Sequence, residues 1–148
     1  MPGIVIVAHT PLASAMLGFA EQTFGNLPEK IQAVDIPPYE DAKVSFDRVL
    51  AAAKAVDMGK GILVLTDVMG ATPANVASRL IGQIQLPGKP LSPLIVLTGL
   101  NLPMLMRAVS YQQDDLDELA KKTLQGGQNG ILRIGVNTNF LNTASEDR

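Results

Sequence analysis

Three short runs of branched apolar residues, Ile4–Val7, Ile62–Leu65 and Leu94–Leu97, constrain this chain more than any other feature. Each is continuously apolar rather than alternating, and a strand of that kind must be covered on both faces, as in a parallel sheet. A weaker strand follows at Ile31–Ile36, and a late one at Ile131–Val136. Helical patterns separate them. The first runs over 11–24, with Thr10 as N-cap, Pro11 as the first helical residue and Gly25 as the stop. The second covers 41–58, with Val44, Val49, Ala52, Ala53 and Val56 on one stripe. The third opens at Thr72-Pro73, again cap then proline, and continues to Gln83. The fourth opens near Asn101 and runs through Met104, Met106 and Val109; the fifth covers 114–124 and ends at Gly126-Gly127. Strands and helices in this alternation imply an α/β fold, a doubly wound, mostly parallel sheet with helices on both faces. A length of 148 residues fits one domain, read here as residues 1–136, followed by a polar tail at 137–148.

Composition removes most chemistries. With no cysteine and a single histidine, His9, the chain has no disulfide, no thiolate or multi-histidine metal site and no thiol nucleophile. The net charge is −2 and no basic run occurs, which argues against nucleic-acid binding and direct membrane attachment. The first residues lack a basic leader region, and no run of about 18 apolar residues occurs, so the expectation is a cytoplasmic protein.

Ligands of an open parallel sheet sit outside the carboxyl ends of its strands. The first strand ends in Val7-Ala8-His9-Thr10-Pro11, the third in Leu65-Thr66-Asp67-Val68-Met69-Gly70-Ala71-Thr72-Pro73, and the fourth in Leu97-Thr98-Gly99-Leu100-Asn101. The lone histidine and an aspartate therefore share one edge, on strands expected to be neighbours. A neutral imidazole is a nucleophile at neutral pH, and a carboxylate on its other nitrogen fixes the tautomer. Asp67 can do this for His9. Phosphoryl oxygens need donors, which backbone N–H groups at a helix start supply without a metal. The Gly70-Ala71-Thr72 turn and the hydroxyls of Thr10 and Thr72 are the candidates for phosphate binding. Taken singly, each residue has an ordinary structural role: His9 a satisfied polar group, Asp67 a turn organiser, the threonines helix starts, Asn101 a cap or turn residue. Leu12, Met69 and Met104 near this edge are either an apolar docking rim or packing residues. Convergence on one edge is what carries the functional reading.

At these residues the chain resembles the IIA component of the mannose family of the bacterial phosphoenolpyruvate-dependent sugar phosphotransferase system. The pieces that carry the resemblance are Ile4-Val5-Ile6-Val7-Ala8-His9, Leu65 through Ala77, and Asn101-Leu102-Pro103-Met104-Leu105. It implies that His9 takes a phosphoryl group from the phosphocarrier protein HPr and passes it to a IIB component, and that Asp67 leaves Nε2 as the attacking nitrogen. It implies a phosphate-binding role for Thr72, no cofactor and no metal. It further implies a homodimer in which a late strand is exchanged, Ile131–Val136 being the candidate. The best-known members continue through an Ala/Pro-rich linker into IIB; here the expected IIB partner is a separate protein, with the membrane reached only through the transport complex.

No nucleotide motif is present, since Gly88-Lys89-Pro90 lacks the upstream glycine and the following hydroxyl residue of a phosphate loop. The phosphoryl donor is then a phosphoprotein rather than ATP. Other readings are a regulatory IIA-like protein whose phosphorylation state controls a partner, the multiphosphoryl donor of dihydroxyacetone kinases, and a flavodoxin-like binder. An aromatic content of 4% with no tryptophan argues against a flavin-stacking pocket.

Overall fold

Strand β1 (Gly3–His9) is buried from Gly3 to Ala8, and its side chains divide alternately between two apolar layers. This is the geometry that a continuous apolar run predicts. In the computed structural model, which describes residues 1–27 and 30–135, β1 lies inside a four-stranded sheet. The other strands are β2 (Ile31–Ile36), β3 (Ile62–Thr66) and β4 (Leu94–Leu97), in the order β2-β1-β3-β4 and all parallel. Helices α1 (Leu12–Phe24), α2 (Ala42–Val56), α3 (Thr72–Ser78), α4 (Leu102–Ser110) and α5 (Leu116–Asn129) fill the connections.

Val5, Val7, Val34 and Val64 face one layer, where Val49 and Val56 of α2 meet Val76 of α3 and Leu80 of the 3₁₀ segment Arg79–Gln85. Ile4, Ile6, Leu63 and Leu65 face the other, with Ala13 of α1, Leu105 of α4 and Leu119 of α5. The sheet is therefore doubly wound, and the expected fold class holds. Val7 pairs with Val34 on one side and Thr66 on the other, so His9 and Asp67 leave adjacent strands together. Among the described residues, no helix is long and apolar enough to cross a membrane.

Several local expectations need correction. The Thr10 N–H bonds to the Ile36 carbonyl at 3.2 Å, continuing the β1–β2 ladder, so Pro11 rather than Thr10 takes the N-cap position of α1. Val44 is exposed, and buried Ser45 takes its place on the α2 stripe, its hydroxyl donating to Glu40 Oε1 at 2.6 Å. Ala71, not Thr72, occupies the N-cap position of α3, with no side-chain cap; the helix becomes 3₁₀ from Arg79. Asn101 does cap α4, accepting from the Met104 N–H at 3.0 Å.

The glycine pair expected to end α5 lies inside it. A Cβ on Gly126 would overlap Arg107 Cγ, and one on Gly127 would sit 2.9 Å from Met104 Cε. The pair lets α5 pack closely on α4, and tertiary contact outweighs weak helix propensity. Because α5 continues to Asn129, Gly130 lands against Pro103 at the start of α4. The chain does not return to the sheet there: residues 131–135 form no strand, and Ile131, Leu132 and Ile134 are exposed. Val136 and the tail at 137–148 lie outside the described residues.

Two glycines separate close packing from open helix surface. A Cβ on Gly3 would overlap the Val56 carbonyl oxygen, whereas one on Gly18 in α1 meets nothing within 4 Å. Gly3→Ala should lower unfolding free energy by about 1–3 kcal/mol. Gly18→Ala should raise it by about 0.5–1 kcal/mol. Urea unfolding midpoints of the two variants check both signs.

Candidate active site

His9 is the last residue of β1, and Asp67 is the first residue beyond β3. Their side chains meet: His9 Nδ1 lies 2.6 Å from Asp67 Oδ2. The same Oδ2 also accepts the His9 backbone N–H at 3.0 Å, so one carboxylate oxygen grips both the ring and the strand end. Asp67 Oδ1 accepts the Val68 N–H at 2.9 Å. An ionised carboxylate only accepts, so the ring proton sits on Nδ1 and the lone pair on Nε2. The His9 side chain is 49% exposed and that of Asp67 only 10%, so the ring reaches solvent while the carboxylate lies behind it.

Partial burial pushes the Asp67 carboxyl up, but the hydrogen bonds from the His9 ring, the His9 N–H and the Val68 N–H outweigh it and hold Asp67 below its ordinary value. The backbone around Asp67 is fixed as well. Its carbonyl accepts the Gly99 N–H at 3.1 Å, and the Thr66 carbonyl accepts the Leu100 N–H at 3.0 Å. The β4–α4 loop thereby positions the carboxylate that positions the imidazole.

The proposed phosphate donors divide. Gly70 sits at φ +84°, a left-handed turn that suits glycine, and Asn75 Nδ2 reaches its carbonyl at 3.4 Å. The Ala71 N–H turns back to the Val68 carbonyl at 3.3 Å. Thr72 stands on the wall of the depression that contains His9. Among the described residues, no protein acceptor takes the N–H of Gly70 or Thr72. At the other helix start the situation is reversed. The Thr10 N–H is used by the sheet, and Asp35 Oδ1 accepts the Ser14 N–H at 3.1 Å. A carboxylate on the first turn of α1 repels a second anion, so of the two helix starts only that of α3 remains suited to phosphate.

Met104 is buried beneath α5, so it forms no part of an apolar rim, whereas Leu12 and Met69 are exposed. The β2–α2 loop, which the pattern of the other three strand ends does not point to, forms another wall. Ile36, Pro37, Tyr39 and Glu40 line the same depression as His9. The signal that could have found it is the Pro37-Pro38 pair directly after β2. Among the described residues, no three carboxylate or imidazole groups gather where a metal ion could be held.

Asp67 ties stability to pH. Its carboxyl is lowered on folding, so the ionised form contributes stability that is complete above the ordinary value of 3.8 and lost as pH falls through the lower folded value. Asp67→Asn should cost about 1–2 kcal/mol at neutral pH. That gap should close under acid conditions, as read by urea unfolding across the range.

Comparison with known proteins identifies the family of the chain. A family model described as the PTS system fructose IIA component matches residues 3–124. The mannose-specific EIIAB component of the phosphotransferase system from Escherichia coli (strain K12) is 31% identical over 130 residues, 86% of this chain. The chain spans 38% of the length of that relative. The crystal structure of phosphotransferase system component EIIA from Streptococcus agalactiae superposes with a TM-score of 0.77 at 30% identity, covering 90% of this chain and 97% of that one. The mannose/sorbose specific IIA subunit from Enterococcus faecalis gives the same TM-score at 27% identity, covering 93% and 97%. The chain belongs to the mannose-type IIA components of the sugar phosphotransferase system.

Proposed function

We propose that His9 is a phosphoryl carrier, loaded by phosphorylated HPr and unloaded onto a IIB component. The observation that carries this reading is the 2.6 Å contact between His9 Nδ1 and Asp67 Oδ2, which leaves Nε2 outward at the carboxyl end of the sheet. In the loading step the Nε2 lone pair forms a bond to phosphorus while the donor's phosphorus–nitrogen bond breaks. The donor keeps that electron pair. No proton leaves His9, because Nδ1–H stays on Asp67, and the positive charge that develops on the ring faces the carboxylate. Unloading runs the same step in reverse against a new acceptor. Catalysis of this kind is mostly positioning and charge stabilisation.

The donors for the phosphoryl oxygens are the N–H groups of Gly70 and Thr72 and the hydroxyl of Thr72. Ala71 shapes the turn and spends its own N–H on Val68. Neither cofactor nor metal enters the step.

A homodimer completes the reading. β4 is an edge strand, half-buried along its length, and Ile95 and Leu97 line a groove with Ala120 and Leu124 of α5. The exposed Ile131, Leu132 and Ile134 have the apolar character that a neighbouring copy's groove accepts.

Incubation with phosphoenolpyruvate, enzyme I and HPr should place an acid-labile, alkali-stable phosphate on the wild type and none on His9→Ala. A wild type that stays unlabelled would sink the relay. Asp67→Ala should keep the fold, by circular dichroism, and transfer about 10²-fold or more slowly. Sedimentation should give the mass of two chains for the wild type and of one for Ile134→Lys; two for both would remove Ile134 from the interface.

A further inference from the structure

The β2–α2 loop carries the least covered large side chain among the described residues. Tyr39 is 104% exposed, and its backbone sits at φ +66°, in the left-handed region that bulky L residues avoid. The conformation is held from behind. Arg48 Nη1 donates to the Asp35 carbonyl at 2.9 Å and to Glu40 Oε1 at 2.9 Å, and the Ser45 hydroxyl donates to that same Oε1. Asp41 closes the loop by accepting from the Lys43 N–H at 2.8 Å as the N-cap of α2. Backbone strain, a guanidinium and two carboxylates thus serve to hold an aromatic ring out in water.

The ring is held beside the functional histidine. Tyr39 and His9 line one depression, so a protein placed over Nε2 must also cover Tyr39. The β3–α3 turn adds two more exposed apolar side chains, Val68 and Met69, the latter 81% exposed, and Leu12 stands at the start of α1. The charges nearby are mainly negative: Asp35, Glu40, Asp41 and Asp67, with Arg48 committed to Glu40. Such a rim repels a free phosphoryl group and accepts one carried on a protein that brings its own positive charge. A tyrosine has few rotatable bonds to freeze and much apolar area to cover, which makes it an effective anchor.

We infer that Tyr39 is the docking anchor for the phosphoryl-donor protein, a partner that presents apolar and basic side chains around its own phosphorylated group. The inference rests on the relay reading of His9 and adds a specificity residue to it. Tyr39 does not touch the reacting atoms, so its effect belongs in the donor's KM rather than in kcat.

The test compares a protein donor with a small one on the full chain. With phosphorylated HPr, Tyr39→Ala should raise KM at least tenfold with kcat within twofold of the wild type, and Tyr39→Phe should restore the wild-type KM. With phosphoramidate, which needs no docking surface, Tyr39→Ala should label at His9 at the wild-type rate. A Tyr39→Ala KM within twofold of the wild type would overturn the inference, as would an equal loss with phosphoramidate. Normal loading by HPr with failed unloading onto IIB would also overturn it, by moving the anchor to the acceptor. A wild type labelled by neither donor would overturn the relay itself, an outcome distinct from the others. Circular dichroism of Tyr39→Ala confirms that the fold is intact.

Discussion

The register of β1 against β3 decides where the functional groups of this chain sit. With Val7 opposite Thr66, Asp67 leaves β3 level with Ala8, one residue before the end of β1, and the His9 ring reaches the Asp67 carboxylate at 2.6 Å. Slippage by one residue would send one of the two side chains to the other face of the sheet. The register is secured by the buried alternation on both faces, Ile4 and Ile6 into one layer and Val5 and Val7 into the other. The core thus positions the pair, and the pair defines the tautomer.

The two helix starts at this edge illustrate how local charge decides between equivalent scaffolds. Both follow a strand and both involve a Thr-Pro dipeptide. Yet the first turn of α1 already holds the Asp35 carboxylate on the Ser14 N–H, whereas the turn before α3 carries Gly70 in a left-handed conformation with its N–H unused by protein acceptors among the described residues. Charge repulsion makes the former unsuited to phosphate, and backbone freedom makes the latter suited.

Much of this was legible in the sequence because it rests on strong periodicities. The four observed strands follow from apolar runs, and the His9–Asp67 meeting follows from reading strand ends. What was not legible depends on contacts remote in sequence. Gly126 and Gly127 read as a stop, and only the approach of Arg107 and Met104 explains why the helix passes through them. Thr10 reads as a cap, and only the Ile36 carbonyl shows that its N–H belongs to the sheet. Met104 lies close to the edge in sequence but buries its side chain beneath α5. The late run at Ile131 reads as a strand, and within one chain residues 131–135 join no ladder, since α5 runs on to Asn129 and brings Gly130 against Pro103.

The relay proposed for His9 also constrains how well the site can bind what it would carry. A residue that must give up its phosphoryl group gains nothing from a cradle that holds the group tightly, since stabilising the loaded state raises the barrier to unloading. The groups around His9 fit that requirement. The turn offers a few N–H and hydroxyl donors, while the surrounding carboxylates of Asp35, Glu40 and Asp67 oppose the accumulation of negative charge. In the proposed relay Asp67 would favour the cationic ring of the loaded state, while its like charge would disfavour the phosphoryl group on that ring. These opposing effects of one carboxylate would keep the proposed bound group close to balance, and they would leave discrimination between partners to the exposed surface around the histidine rather than to the phosphate site itself.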